Sequence, residues 1–221
     1  MISKMTTAYI VCEAVRSNTN QKVSFQSLLS KIRKEFQKRQ IDLYIRSNRK
    51  SSLTPEEYYV NAYYDAEDEH DQEVPIEIVI YHNFDKNVLW DRSHVTNLLI
   101  QIYDAVVHEF CHQEQSQKRH HKLFWSHSTI ELQYLSDPDE IDAYSLSIAI
   151  ELCRSLGKER ALRQLSRFKR LSRFKIRENF VSPNLFAFVK VFEDIDENIL
   201  RTVVKKIYKR IQKIDTDIIF M

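Results

Sequence analysis

Glycine is nearly absent from this chain, since Gly157 is the only one among 221 residues, and prolines number only four. Tight hairpins depend on glycine at positions where the backbone adopts a positive φ. A fold built on many such turns is therefore excluded, and the sequence predicts a predominantly helical protein. The same scarcity excludes nucleotide-binding loops that need several glycines.

The composition supports an ordered core, because 43% of the residues are hydrophobic and 11% are aromatic. The length suits one domain, or one domain with an extension. We expect the α+β class, predominantly helical, with a small sheet. We divide the chain into a main domain over residues 1–156 and a basic helical extension, residues 157–221, packed on it.

Hydrophobic periodicity places the first elements along the chain. A short helix is predicted around Tyr9–Val15, and a longer one carries apolar residues at helical spacing, namely Phe25, Leu28, Leu29, Ile32 and Phe36. A first strand is predicted over 41–46, a loop over 47–54, and a short helix beginning at Pro55.

The clearest strand signal is Ile76–His82, a run rich in β-branched residues that follows Pro75. Two interpretations remain open for it. It is either the edge strand that pairs with an extended peptide substrate, or an ordinary sheet strand with no such role.

The next helix contains His108-Glu109-Phe110-Cys111-His112, an H-E-x-x-H sequence. Residues four apart lie on one face of a helix, so both imidazoles can bind one ion. Glu109 can then reach a water molecule on that ion and take its proton, as zinc hydrolysis requires. The apolar stripe of this helix lies elsewhere on its surface, on Val95, Leu98, Leu99, Ile102, Val106 and Phe110. The two histidines are therefore expected to line a cleft.

A catalytic zinc site needs a third protein ligand. Glu140 is one candidate; it lies 28 residues after His112, at the start of a helix whose predicted N-cap is Asp137. The competing role for Glu140 is a capping-box carboxylate that pairs with Asp137. We expect Gly157 to end this helix.

The H-E-x-x-H sequence followed by Glu140-Ile-Asp-Ala143 resembles the gluzincin-type metallopeptidases, including the HtpX-like and ImmA-like groups. The resemblance covers residues 104–149, and it implies a zincin-like fold with Glu140 as the third zinc ligand. The "DPDEIDAY" stretch is also similar to uncharacterised phage-encoded proteins. Many gluzincins have an aspartate where this chain has Tyr144. Asp142 could orient a histidine instead, or be the ligand itself.

A weaker similarity favours histidine as the third ligand. The segment from His120 through His121 to Trp125 is similar to the region that follows H-E-x-x-H in SprT-like proteases. It implies His120 or His121 in the position otherwise given to Glu140. Tyr134, Tyr144 and His127 are possible donors to an oxyanion. Either ligand set predicts a zinc-dependent peptidase with a protein or peptide substrate and Glu109 as general base.

Charge is unevenly spread along the chain. Residues 157–213 hold 16 Lys/Arg against 6 Asp/Glu, a net +10, and the whole chain is +2, so the rest sums to −8. Lys158–Arg177 interleaves nine basic residues with Phe168 and Phe174. Such a stretch could bind nucleic acid, although a solvated helix face is the favoured interpretation. A non-catalytic binding module that uses this stretch is the alternative function.

Localisation is predicted from absent signals. The three cysteines show no paired spacing, which suits a reducing compartment. We find neither an N-terminal signal-peptide pattern nor a run of eighteen apolar residues. We therefore expect a cytoplasmic protein without membrane contact, in the host cytoplasm if it is phage-encoded.

Overall fold

The structure, a computed structural model, describes residues 20–40, 43–64, 76–84, 88–119, 131–166, 182–192 and 197–214. Internal contacts divide the chain into two compact units, residues 1–123 and 124–221. Compactness alone does not test where a functional domain ends, so the predicted division at residues 156 and 157 stays a prediction. The predicted helix around Tyr9–Val15 lies outside the described residues.

The first unit combines strands and helices. Its described elements are β1 (Gln21–Val23), α1 (Phe25–Lys38), β2 (Leu43–Arg49), β3 (Tyr58–Tyr63), β4 (Ile76–His82), β5 (Val88–Trp90) and α2 (Arg92–Lys118). One sheet has the order β2-β4-β3, with β4 parallel to β2 and antiparallel to β3. The short strands β1 and β5 form a separate antiparallel pair.

Strand β4 begins and ends where the sequence predicts, but it is the central strand of its sheet. Its residues are paired with β2 on one side and with β3 on the other. Both rows of backbone hydrogen-bonding groups are therefore used within the sheet. The interpretation of this strand as a substrate-binding edge is wrong.

Helix α1 confirms the prediction from its periodicity. Ser24 caps it by accepting a hydrogen bond from the N–H of Ser27, and all five predicted core residues are buried. They share one core with the inner face of the sheet, where Ile45, Ile78 and Ile80 are almost fully buried. Helix α2 packs against β3 and β4 and adds Leu98, Ile102 and Val106 to this core.

Two local predictions differ from the structure. The predicted loop 47–54 begins too early, because β2 continues to Arg49 in register with His82 of β4. Pro55 opens a turn rather than a helix, and the chain then forms β3. Helix α2 continues to Lys118, into the polar residues that follow the H-E-x-x-H sequence. In β2 and β3, pairing with β4 supplies hydrogen bonds that local sequence does not reveal.

Every described element of the second unit is a helix. Its elements are α3 (Glu131–Ser136), α4 (Pro138–Leu156), α5 (Lys158–Ser166), α6 (Pro183–Phe192) and α7 (Glu197–Lys213). Helix α4 contacts each of the other four helices. The core is formed largely by residues that are at most 1% exposed, among them Ile148, Leu152, Phe188, Val203 and Ile207.

The only glycine of the chain ends α4, as predicted. Gly157 has φ 77° and ψ 155°, and its N–H donates to the carbonyl of Cys153 at 2.9 Å. A β-carbon at this position would meet no atom within 4 Å. The positive φ, rather than crowding, is therefore the reason why this position favours glycine.

The described residues are mostly helical with a small sheet, which confirms the predicted α+β class.

Candidate metal centre

Helix α2 holds the H-E-x-x-H residues away from its core contacts. Leu98, Ile102 and Val106 are at most 2% exposed and fix the rotation of the helix against the sheet. Successive helical residues are about 100° apart, so His108 and His112 project to another side. Both histidines are half-buried, as is Glu109, which follows His108 directly.

The two histidines lie close to the spacing that one metal ion requires. Their Nε2 atoms are 3.0 Å apart, and their ring centroids are 4.7 Å apart with the planes inclined at 74°. Two zinc–nitrogen bonds of about 2.0–2.1 Å at a tetrahedral angle place the nitrogens about 3.3 Å apart. Small side-chain rotations therefore suffice to fit an ion between them.

Gln115 fixes the orientation of His112. Its Oε1 atom lies 3.0 Å from Nδ1 of His112. A carbonyl oxygen only accepts, so this contact places the ring proton on Nδ1 and leaves the Nε2 lone pair for a metal. A hydrogen bond to a residue that does not itself bind the metal commonly sets the tautomer of a ligating histidine.

Glu140 lies in the first turn of α4, whose N-cap is Asp137, as predicted. The Asp137 carboxylate accepts from the N–H of Asp139 at 2.7 Å. In a capping box the side chain of Glu140 would accept the backbone N–H of Asp137. That N–H instead donates to the carbonyl of Tyr134 at 3.1 Å. The N–H that a capping box would pair with Glu140 thus donates to a backbone carbonyl.

His108, His112 and Glu140 form a group that could hold a metal ion. Each contributes one potential ligand atom, and these atoms lie within 4.8 Å of one another. All three residues are half-buried. Their donor set, two imidazole nitrogens and one carboxylate oxygen, is one that zinc accepts in catalytic sites.

A tyrosine pair adjoins Glu140 within the second unit. Burial, followed by the proximity of Tyr144 and Glu140, raises the pKa of Tyr134 far above its ordinary value. Its hydroxyl therefore stays protonated and can donate a hydrogen bond to the Glu140 carboxylate. The ring of Tyr144 packs between Tyr134 and Phe188, at centroid distances of 6.3 Å and 5.6 Å. This packing holds the hydroxyl donor beside the carboxylate.

Asp142, the alternative ligand, has other partners. Its carboxylate oxygens lie 3.2 Å from Nζ of Lys206 and 2.9 Å from a guanidinium nitrogen of Arg210. Burial raises the pKa of Asp142, but Arg210 and Lys206 outweigh it and hold the pKa below its usual range. Asp142 is thus an anion that binds α4 to α7.

His120, His121 and His127 lie outside the described residues, as does most of Lys158–Arg177. Gln115 is a site residue that the sequence did not predict. Its signal is its position three residues after His112, on the same helix face.

None of the described helices is both long and apolar enough to cross a membrane. Comparisons with protein-family models, with curated proteins and with solved structures found no match for this chain.

Proposed function

We propose that this protein is a zinc-dependent peptidase with a zincin-like fold. The observation that carries the proposal is the group formed by His108, His112 and Glu140, whose potential ligand atoms lie within 4.8 Å of one another. An H-E-x-x-H helix supplies two of these residues, and a second helix supplies the third. The substrate is a protein or peptide, and the site of action is the cytoplasm.

The donor set favours zinc over harder cations. Magnesium and calcium prefer coordination shells made of oxygen atoms, whereas two imidazoles with one carboxylate suit zinc. Three protein ligands also leave one position for a water molecule. Zinc, when bound, lowers the pKa of such a water toward about 7 and polarises a substrate carbonyl.

The side chains of the protein perform the proton transfers. Glu109 accepts a proton from the attacking water and delivers it to the amine that leaves when the peptide bond breaks. Gln115 keeps His112 in the tautomer that offers Nε2. Tyr134 donates to Glu140 and so restrains the rotation of the carboxylate.

Metal content tests the site. The protein would be purified without added metal as wild type, His112→Ala, Glu140→Ala and the control Glu114→Ala, whose side chain lies on α2 outside the ligand group. We expect about one zinc per chain in the wild type and in the control. Both ligand variants should lose it.

The outcomes separate the alternatives. If zinc is lost in His112→Ala but retained in Glu140→Ala, the third ligand is Asp142, His120 or His121. A wild-type chain that takes up no zinc, even when zinc is supplied, would contradict the proposal. A second test measures the peptidase activity of the wild type on a peptide library by mass spectrometry, with and without a chelator. Cleavage that a chelator leaves unchanged would exclude zinc-dependent hydrolysis.

A further inference from the structure

Helix α7 carries a row of four basic side chains along its exposed face. Arg201, Lys205, Lys209 and Lys213 follow one another at intervals of four residues, and all four are exposed. A helix rises 1.5 Å per residue, so the row extends over about 18 Å, with one cation about every 6 Å. No anionic side chain interrupts it within the described part of α7.

The row lies opposite the core face of the same helix. Val203, Ile207 and Ile211 are 0% exposed, and each follows a basic residue of the row by two positions. Two positions correspond to about 200° around a helix. Packing of these apolar residues in the core of the second unit therefore fixes the direction in which the four cations project.

The remaining cations of α7 have a different role. Lys206 and Arg210 form ion pairs with Asp142 and are only partly exposed. Among the described residues, no carboxylate pairs with Lys205, Lys209 or Lys213. Like charges four residues apart destabilise a helix by a few tenths of a kcal/mol per pair. Repulsion among these three lysines therefore lowers the stability of the helix, and folding does not account for them.

The exposed face of α7 contains no apolar residue. Its described exposed residues are all polar, namely Asn198, Arg201, Thr202, Lys205, Lys209, Gln212 and Lys213. A helix that lies in a membrane interface needs exposed Trp, Phe or Leu, and here the apolar face is already used in the core. Binding to single strands gains most of its energy from aromatic stacking, and the described residues of α7 present no exposed aromatic.

We propose that the face of α7 formed by Arg201, Lys205, Lys209 and Lys213 binds the phosphate backbone of double-stranded DNA. Four cations on a rigid rod are complementary to a regularly spaced polyanion. The major groove of B-form DNA admits an α-helix, whereas the corresponding groove of A-form RNA is deep and narrow. Binding through phosphates carries no base information, so we expect similar affinity for unrelated sequences.

This surface is independent of the proposed zinc site, since none of its residues is a ligand or a general base. Helix α5 packs against α7, and Nζ of Lys158 donates to the carbonyl of Ile214 at 2.8 Å. The exposed residues of α5 include Arg160 and Arg163, which add to the positive charge of this unit.

Salt-dependent binding tests the proposal on the full chain. Affinity for a fluorescein-labelled 20-base-pair DNA duplex would be measured between 50 and 200 mM salt. The variants are Lys205→Gln/Lys209→Gln/Lys213→Gln and a control with the same charge change, Lys34→Gln/Lys38→Gln/Lys190→Gln. All control positions are exposed helical lysines outside α7. Circular dichroism would confirm that both variants fold.

We expect the α7 variant to bind at least about tenfold more weakly at low salt. The slope of log affinity against log salt should become shallower by about 2 to 3, because each lost phosphate contact removes about 0.9. The control should resemble the wild type. Four outcomes would overturn the proposal: no binding by the wild type at 50 mM salt, an equal loss in both variants, a preference for duplex RNA, or binding only to vesicles that contain phosphatidylserine.

Discussion

Helices α2 and α7 are both long, but they differ in how far their polar residues are exposed to solvent. From residue 101 to residue 116 of α2, no residue is exposed, although this stretch includes Asp104, Glu109 and Glu114. In α7 the exposed residues are all polar, and the apolar ones are in the core. Half-buried charges are costly unless partners compensate for them, whereas solvated charges cost little. The polar residues of α2 therefore require specific partners, whereas Lys205, Lys209 and Lys213 of α7 remain available to an external one.

The largest effect is expected when the base on α2 is neutralised. Glu109→Gln should lower peptide turnover by about 10²–10⁴ while zinc content stays at the wild-type level, because a proton-transfer group is lost without loss of a ligand. Turnover and metal content would be measured on the same preparation. Glu114→Gln is the matched control, since it removes a half-buried carboxylate from the same helix. Equal losses in both variants would show that Glu109 has no special role.

The core face of α7 should be far more sensitive than its exposed face. Ile207 is 0% exposed, so Ile207→Ala should lower the free energy of unfolding by about 2–5 kcal/mol through lost burial and a residual cavity. Lys209→Ala, two residues away on the exposed side, should change it by no more than about 0.5 kcal/mol. Urea unfolding of both variants measures the contrast. Comparable effects would mean that the exposed row also contributes to packing.

Zinc should stabilise the protein through the histidines of α2, and a substitution on the exposed face of α7 should not alter this stabilisation. Zinc at one hundred times its dissociation constant should add about 2.7 kcal/mol to the free energy of unfolding, because it binds only the folded chain. The same addition to His112→Ala should have no effect. Lys209→Ala should retain the full zinc response in a thermal melt. A zinc response that survives in His112→Ala would place the binding site elsewhere.

The sequence predicts those helices and strands that depend on local periodicity. Helix α1, strand β4 and the start of α4 follow from apolar spacing, from β-branched residues and from the predicted cap Asp137. Strand β3 did not follow, because its hydrogen bonds come from β4, which is distant in sequence. The central position of β4 was missed for the same reason.

In the candidate site, too, the sequence predicts local spacing but not contacts between distant residues. The spacing of His108 and His112 follows from helix geometry alone, whereas Glu140 entered through a family resemblance. The role of Asp142 was not readable, since its partners Lys206 and Arg210 are 64 and 68 residues away. Periodicity describes neighbours on one helix, and it carries no information about which distant helix supplies a counter-charge.

The smallest predicted effect concerns the ion pairs between Asp142 and helix α7. Arg210 and Lys206 hold the pKa of Asp142 below its ordinary value despite burial, so the folded state favours the ionised carboxylate. This contribution to stability is present above the unfolded pKa, about 3.9, and is lost as pH falls through the folded pKa. The three side chains are each about one-third exposed, 35% or 36%, so solvent limits the contribution to less than about 1 kcal/mol.

Asp142→Asn should therefore lower the free energy of unfolding by less than about 1 kcal/mol at pH 7, and the difference from wild type should shrink as the pH approaches 3. Urea unfolding between pH 7 and pH 3 measures this convergence, with Asp139→Asn as the control on the same helix. A larger and pH-independent loss in Asp142→Asn, accompanied by loss of zinc, would contradict the assignment. Asp142 would then be a metal ligand, like the histidines of α2, rather than the ion-pair partner of α7.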